Sequence, residues 1–223
     1  MINEDQAREL LTPFGLSLNA EEMNKVRAYL SLLLRWNTRI NLTAVRDAEE
    51  CVTRHFGESL YLARFARLEG YLLDIGSGAG FPGLALKITF PQLQVTLLEP
   101  VGKKRAFLKE VARACEMDLV DVRSERLREF VKQQVETGRH SRFDVITSRA
   151  VGRLAGLIPD AVECLEQHAA LYLWLSHHQQ EEVCRASEGL VEWNSPIPLP
   201  LAHNREIWRG SQLASNVPRE TSR

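Results

Sequence analysis

The stretch Asp74-Ile75-Gly76-Ser77-Gly78-Ala79-Gly80-Phe81-Pro82-Gly83 sets a carboxylate ahead of four glycines within eight positions. A glycine inside a helix or strand costs about 1 kcal/mol relative to alanine, so this density argues against an element interior. It fits a tight turn from a buried strand, Tyr71–Ile75, into a helix, with a ligand close to the backbone. Pro82 suits the first turn of that helix, where a missing N–H has no partner to lose. The chemistry implied is nucleotide or nucleoside binding. Other chemistry-bearing residues close the apolar runs that follow: Glu99, Arg123-Ser124-Glu125 and Ser148-Arg149. Ligands of open α/β sheets bind at the carboxyl ends of the strands, so these polar ends should share one edge with the glycines.

Two cofactor classes compete for that edge. Gly78 to Gly83 satisfies GxGxxG, the dinucleotide fingerprint. Gly76 to Gly80, preceded by Asp74, satisfies the GxGxG pattern of S-adenosylmethionine-dependent methyltransferases. A pyrophosphate needs free N–H donors at a helix N-terminus, and Pro82 removes one, which favours the methyl donor. Glu99 can accept both ribose hydroxyls, each charge-assisted bond contributing about 1.5–3 kcal/mol, and it serves either cofactor. Ser124 and Glu125 are placed to face an adenine. Arg149 has two readings, a cofactor contact or an ion pair with Asp74 or Glu125. Carbon-5 methylation of a pyrimidine needs a cysteine nucleophile at a strand end, whereas Cys115 and Cys164 fall within helical patterns. Exocyclic amino methylation favours an Asn/Asp-Pro-Pro-aromatic turn, and Ser148-Arg149-Ala150-Val151 stands there instead.

The elements that must position these groups read in two parts. Residues 1–68 are helical. Met23, Val26, Leu30, Leu33 and Leu34 form one buried stripe at three- and four-residue spacing. Asn19 with Glu22 makes a capping box, and the helix ends near Trp36-Asn37. Asp47 caps a further helix through Cys51, Arg54-His55, Leu60, Leu62 and Phe65. Trp36 anchors this extension, and His55 packs it on the main domain. From residue 71, apolar runs alternate with amphipathic stretches: Tyr71–Ile75, Val95–Glu99, Leu119–Val122, Phe143–Ser148 and Leu171–Leu175. Helices are expected at about 82–90, 102–116, to 135, 153–166 and 177–188. Strand-helix alternation with short links predicts a mostly parallel sheet covered on both faces. Beyond it, Pro196, Pro198 and Pro200 break any long element, Glu206–Arg209 is a candidate last strand, and Gly210–Arg223 reads as a loose tail.

Composition bounds the class. With 223 residues, 44% of them hydrophobic and 26% charged, the chain can build one medium domain with a small extension. No apolar run reaches the roughly 18–20 residues of a membrane span, and the acidic start MINEDQAREL is no secretory signal. Four dispersed cysteines form no CxxC pair, which argues against zinc and disulfides and fits a reducing, cytoplasmic setting. Net charge is −1, yet residues 71–160 hold 14 basic against 11 acidic residues, so the positive excess accompanies the glycine turn. Lys103 and Lys104 begin a helix at that edge and are the candidate phosphate contacts.

These stretches carry a family resemblance. Trp36-Asn37 with Ile40-Asn41-Leu42-Thr43, Arg54-His55 with Glu58-Ser59, Asp74 to Gly83, Gly102-Lys103-Lys104 with Phe107-Leu108, and Ser148-Arg149-Ala150 resemble the ribosomal RNA small subunit methyltransferase G family, also called glucose-inhibited division protein B. The resemblance covers about residues 10–165. It implies a Rossmann-like class I methyltransferase fold, an α/β doubly wound sheet; with the residue patterns above, the chain divides into an N-terminal helical extension over 1–68, a methyltransferase domain over 69–210 and a flexible tail over 211–223. It implies methylation of guanine N7 in 16S ribosomal RNA with S-adenosyl-L-methionine as donor, no metal and no membrane, by a monomer acting on the RNA or the small ribosomal subunit. Carried onto this chain, Gly76 and Phe81 contact the cofactor, Ser124 and Glu125 hold the adenine side, and Arg149 lines the site. With the strand-end residues, the candidate cofactor set is Asp74, Gly76, Gly78, Phe81, Glu99, Ser124, Glu125 and Arg149. No side chain is assigned a catalytic role.

The chain also departs from the pattern. Glu58 and Glu99 stand where the family usually has aspartate. Ser176-His177 replaces a Lys-Gly pair after the fifth run, and Trp208-Arg209-Gly210 replaces an apolar strand. Two alternatives follow: an NAD-dependent oxidoreductase using the same glycines, or a non-catalytic methyltransferase-fold module that binds RNA.

Overall fold

A computed structural model describes residues 2–138, 141–149, 152 and 154–213. Its N-terminal part is helical, as the apolar spacing requires. Helix α1 (Glu4–Leu11) and helix α2 (Ala20–Asn37) each begin with a capping box, Asn3 with Gln6 and Asn19 with Glu22. Met23, Val26, Tyr29, Leu30 and Leu33 form the buried face of α2. Asp47 caps α3 (Ala48–Cys51) by accepting the Glu50 N–H at 2.8 Å. The expected continuous helix changes register next: Val52–Gly57 is π-helical, α4 spans Glu58–Leu60, and Tyr61–Arg64 is a 3-10 turn. Gly57 is required there, since a Cβ would stand 2.4 Å from the Phe14 ring.

The sheet contains β1 (Tyr71–Ile75), β2 (Gln94–Leu98), β3 (Val120–Arg123), β4 (Phe143–Arg149), β5 (Leu165–Ser176), β6 (Val191–Trp193), β7 (Ile197–Pro198) and β8 (Arg205–Gln212). Helices α5 (Gly83–Thr89), α6 (Gly102–Ala114), α7 (Leu127–Thr137), α8 (Leu154–Glu163) and α9 (Gln180–Ala186) connect them. The spatial order is β3-β2-β1-β4-β5-β8-β6, with β7 paired to β8. Strands β1 to β5 pair in parallel, and β8 runs antiparallel between β5 and β6. Both faces are covered, and the strand alternation shows it. Leu72, Val95, Leu97, Val145, Tyr172 and Trp174 enter the core shared with the N-terminal helices, while Leu73, Leu98, Ile146, Leu171 and Leu173 enter the other.

Several expectations change in detail. Pro82 precedes α5 instead of sitting in its first turn, and the Phe81–Pro82 bond is cis. Strand β5 begins at Leu165, six residues earlier than the apolar run, because polar Glu166, Gln167 and His168 hid a segment that starts at the Phe143–Leu165 pair. The larger correction is at the C-terminus. Trp208-Arg209-Gly210 belongs to a full eight-residue strand that pairs with β5 from Leu171–Gly210 to Ser176–Arg205. Ile207 and Trp208 are buried, and Gly210 gives room to Val191 and the Trp193 ring, which a Cβ would meet at 2.5 and 2.8 Å. A strand that starts Arg205-Glu206 and carries a tryptophan, an arginine and a glycine does not look apolar, yet it packs as one. The expected tail over 211–223 also starts later: Ser211 and Gln212 are in β8, and the Leu213 N–H donates to the Leu190 carbonyl at 3.0 Å. Residues 214–223, and Ala150 and Val151 after β4, lie outside the described residues.

Candidate functional site

The order β3-β2-β1-β4-β5 reverses direction between β1 and β4, and that switch point is where an open α/β sheet binds its ligand. The glycine turn leaves β1 at this place. Gly76, Gly78 and Gly80 have φ of 70°, 55° and 88°, values that glycine adopts without strain. A Cβ on Gly80 would stand 2.2 Å from the Tyr29 hydroxyl. That hydroxyl, buried in α2, donates to the Ala79 carbonyl, so the extension fastens the turn from above. Beside Gly78 the space is open, the nearest atom to a Cβ being the Gly76 carbonyl at 3.8 Å.

Asp74 supports the turn from beneath. It is fully buried and accepts the Thr147 hydroxyl at 2.8 Å. Burial pushes its carboxyl up to about 6; Thr147, Ser77 and the Gly83 amide oppose the rise. The Asp74 Oδ2 is buried without a hydrogen bond of good geometry. Glu99, at the end of β2, is also buried and is occupied by backbone: Oε2 accepts the Gly78 N–H at 2.9 Å and Oε1 the Val101 N–H at 2.8 Å. Both acids therefore shape the turn.

A cavity of about 530 Å³ opens between the turn and the N-terminal helices. The structure divides the sequence candidates around it. Gly76, Gly78, Phe81, Lys104 and Arg149 line it, whereas Asp74, Glu99, Lys103, Ser124 and Glu125 stand outside its wall. Ser124 is exposed and Glu125 half-buried at the end of β3, where the guanidinium of Arg123, 2.5 Å away, holds the Glu125 carboxyl down at about 2. Lys103 is exposed at the start of α6.

Phe81 is sandwiched. It stacks on Tyr29 at 5.1 Å and on His55 at 4.9 Å, with the Phe56 ring edge-on at 5.1 Å. His55 is the packing histidine the sequence suggested. Burial, reinforced by Arg149, Arg54 and Arg205, lowers it to about 3, so it is neutral and keeps its 2.9 Å contact with the Thr43 hydroxyl. Trp36 anchors the extension by donating to Glu110 at 3.0 Å and packing edge-on against Phe107.

Arg149 pairs with neither Asp74 nor Glu125. Its guanidinium turns toward the extension, donating to the Arg54 carbonyl at 2.6 Å and the Ser59 hydroxyl at 3.3 Å, with Glu58 3.3 Å away. Burial lowers Arg149 to about 10, with Glu58 opposing the shift. Sequence reasoning missed Asn37, Arg205 and Trp174. Buried Asn37 accepts the Leu42 and Thr43 N–H groups at 3.0 and 3.1 Å and donates to the Val45 carbonyl at 3.1 Å, which folds the loop that forms one side of the cavity. The Trp-Asn pair held that signal. Arg205 and Trp174 line the cavity from β8 and β5, and no local pattern announced them. Among the described residues, no group of three or more His, Cys, Asp and Glu side chains gathers in a way that could hold a metal ion, and no helix is long and apolar enough to cross a membrane.

Comparisons with known proteins agree with this geometry. Residues 22–195 match the family model described as rRNA small subunit methyltransferase G. The chain is 38% identical over 206 residues to the "Ribosomal RNA small subunit methyltransferase G" of Chloroflexus aggregans, covering 89% of this chain and 85% of that one. It is 40% identical over 182 residues to the protein of the same name from Halorhodospira halophila, covering 82% and 83%. Among solved structures, a ribosomal protein L11 methylase from Lactobacillus delbrueckii subsp. bulgaricus superposes with a TM-score of 0.59 at 15% identity over 71% of this chain and 78% of that one. A precorrin-6y C5,15-methyltransferase from Geobacter metallireducens gives 0.53 at 14% identity, over 70% and 87%. At such identities these two structures report the fold alone: a Rossmann-like methyltransferase sheet. The antiparallel β8 between β5 and β6 also sets it apart from the 3-2-1-4-5-6 order of dinucleotide-binding folds.

Proposed function

The chain belongs to the ribosomal RNA small subunit methyltransferase G family, and from that premise we propose that it methylates N7 of a guanine in 16S ribosomal RNA, as a cytoplasmic monomer acting on the RNA or the small subunit. It is an S-adenosylmethionine-dependent enzyme, which replaces the oxidoreductase and non-catalytic readings. The observation that carries the proposal is the cavity at the β1/β4 switch point, walled by the glycine turn on one side and the Asn37-shaped loop on the other.

The residues present fit the donor. The open space beside Gly78, which a Cβ would enter, lets a ligand approach the backbone. Gly76 and Gly78 would lie against it, with Phe81 and Arg149 behind. Glu99 would offer its remaining lone pairs to the ribose, and Ser124 and Glu125 would hold the adenine end at β3. Asp74 acts from below by fixing the turn. When bound, the donor supplies a sulfonium methyl group. Guanine N7 carries a free lone pair at neutral pH, so the protein needs no general base. Its contribution is to align that lone pair and exclude water. The stacked His55 supports this reading, because a ring lowered to about 3 is too weak a base to take up a proton near neutral pH.

We assign residues 1–68 to an extension that closes the cavity and 69–213 to the methyltransferase domain, since β8 and Leu213 carry it past the expected boundary at 210. Lys103 and Lys104, at the start of α6, are the proposed phosphate contacts. Calorimetry with S-adenosylhomocysteine tests the donor site: a bulky residue at Gly76 abolishes binding, and undiminished binding refutes the assignment. Mass-spectrometric maps of 16S RNA with and without the gene test the substrate, and an unchanged map sinks the ribosomal reading.

A further inference from the structure

The cavity wall opposite the glycine turn is held by an ion cluster assembled from three distant parts of the chain. Glu58 of α4 is 2% exposed. Its Oε1 lies 2.6 Å from Nη2 of Arg205 at the start of β8, and its Oε2 lies 3.3 Å from Nη2 of Arg149 at the end of β4. The Trp174 indole donates to the Glu58 carbonyl at 2.8 Å and fixes the backbone beneath the carboxylate.

The two arginines are not equivalent. Arg149 is occupied by the protein: besides Glu58 it meets the Arg54 and His55 carbonyls and the Ser59 hydroxyl, at 2.6, 3.5 and 3.3 Å. Arg205 is tied by its Nη2 to Glu58, its Nε is buried without a hydrogen-bond partner, and the residue lines the cavity. Glu58 Oε2 is likewise buried without a hydrogen bond of good geometry. One carboxylate between two guanidiniums leaves the wall positive, with Arg205 as the arm that has donors to give.

We propose that Glu58 is a positioning residue for methyl transfer, acting through Arg205: it holds that guanidinium at the cavity wall so that its remaining Nη N–H groups meet the carboxylate at the amino-acid end of the donor. The inference rests on the donor site proposed above. The donor carries one carboxylate, and a fixed guanidinium facing the cavity is its natural partner. Without Glu58, the two cations repel and Arg205 swings on its flexible stem. The wall then becomes more positive, so an anion is still attracted but is held in the wrong place. The expected signature is loss of turnover without loss of affinity.

Binding of S-adenosylhomocysteine to the wild-type protein tests the donor reading by itself. The positioning role is tested with Glu58→Gln, Glu58→Asp, Arg205→Gln and the Glu58→Gln/Arg205→Gln double variant. Each is titrated with S-adenosylhomocysteine and with 5′-methylthioadenosine, which lacks the amino-acid end, and assayed for methylation of small ribosomal subunits. Glu58→Gln is expected to lower kcat about 10-fold or more, while affinity for S-adenosylhomocysteine stays equal or tightens and that for methylthioadenosine changes by less than about 2-fold. Glu58→Asp restores most of the turnover. Wild-type turnover in Glu58→Gln overturns the proposal. So does an equal loss of affinity for both compounds, which is the mark of a packing role. If Glu58→Gln does not fold, the double variant, which removes both charges, takes its place. A ligand pattern and kcat matching Arg205→Gln then support the inference, and a further loss of about 10-fold below Arg205→Gln overturns it.

Discussion

The two halves of the sheet edge are built differently. On the β3 side, Ser124 and Glu125 sit at a strand end, and their partners are near in sequence: Arg123 for Glu125 and Glu125 for Ser124. On the β4–β5–β8 side, Arg149, Trp174 and Arg205 meet Glu58, Arg54 and Ser59 across 90 to 147 residues of chain, and the N-terminal helices close over them. The first half is an open rim that local sequence can specify. The second is a wall that exists once the extension has docked. A rim residue can change without disturbing the fold, whereas a wall residue serves site and fold together.

Four substitutions break or sharpen this contrast. The largest effect belongs to the wall. Arg149→Met removes the donor to the Arg54 carbonyl and leaves Glu58 with Arg205 as its ion-pair partner, and breaking this buried cluster is expected to cost about 3–5 kcal/mol in urea unfolding. A loss below about 1 kcal/mol would place Arg149 on the rim side of the comparison.

Next comes Asp74, under the turn between the two halves. Its folded pKa of about 6 lies above the unfolded value of 3.8, so the protonated form favours the native state. That contribution is complete below about pH 4 and is lost as pH rises through 6. Asp74→Asn imitates the protonated form. The stability difference between Asp74→Asn and wild type should therefore move in favour of the variant by up to about 3 kcal/mol between pH 4 and pH 7.5. A difference that does not change with pH contradicts this account of Asp74.

Tyr29→Phe removes the hydroxyl that fastens Ala79 and leaves a buried carbonyl unpaired, at an expected cost of about 1–3 kcal/mol. Because the tether runs from the extension to the turn, affinity for S-adenosylhomocysteine should fall with it. A stability loss with unchanged affinity would show that the turn holds its shape without the extension.

The smallest effect belongs to the rim. Ser124→Ala should change stability by less than about 0.5 kcal/mol, since the residue is exposed, while weakening S-adenosylhomocysteine by about 1 kcal/mol. Unaltered affinity by calorimetry would remove Ser124 from the donor site.

What was legible in the sequence follows the same division. The glycine turn, the polar strand ends, the capping boxes at Asn19 and the helix cap at Asp47 depend on neighbours a few residues away, and the sequence alone determined them, with the family motifs adding the identity of the fold. The π-helical register at Val52–Gly57, the inward turn of Arg149 and the arrival of Arg205 on β8 were decided by tertiary structure. The reason is physical. A buried charge persists when its partners meet it, and partners supplied by three separate elements leave no spacing to read. β8 shows the same limit: its Trp, Arg and Gly residues suit particular neighbours, Trp193 above all, so its strand character belongs to the packing and not to an apolar run.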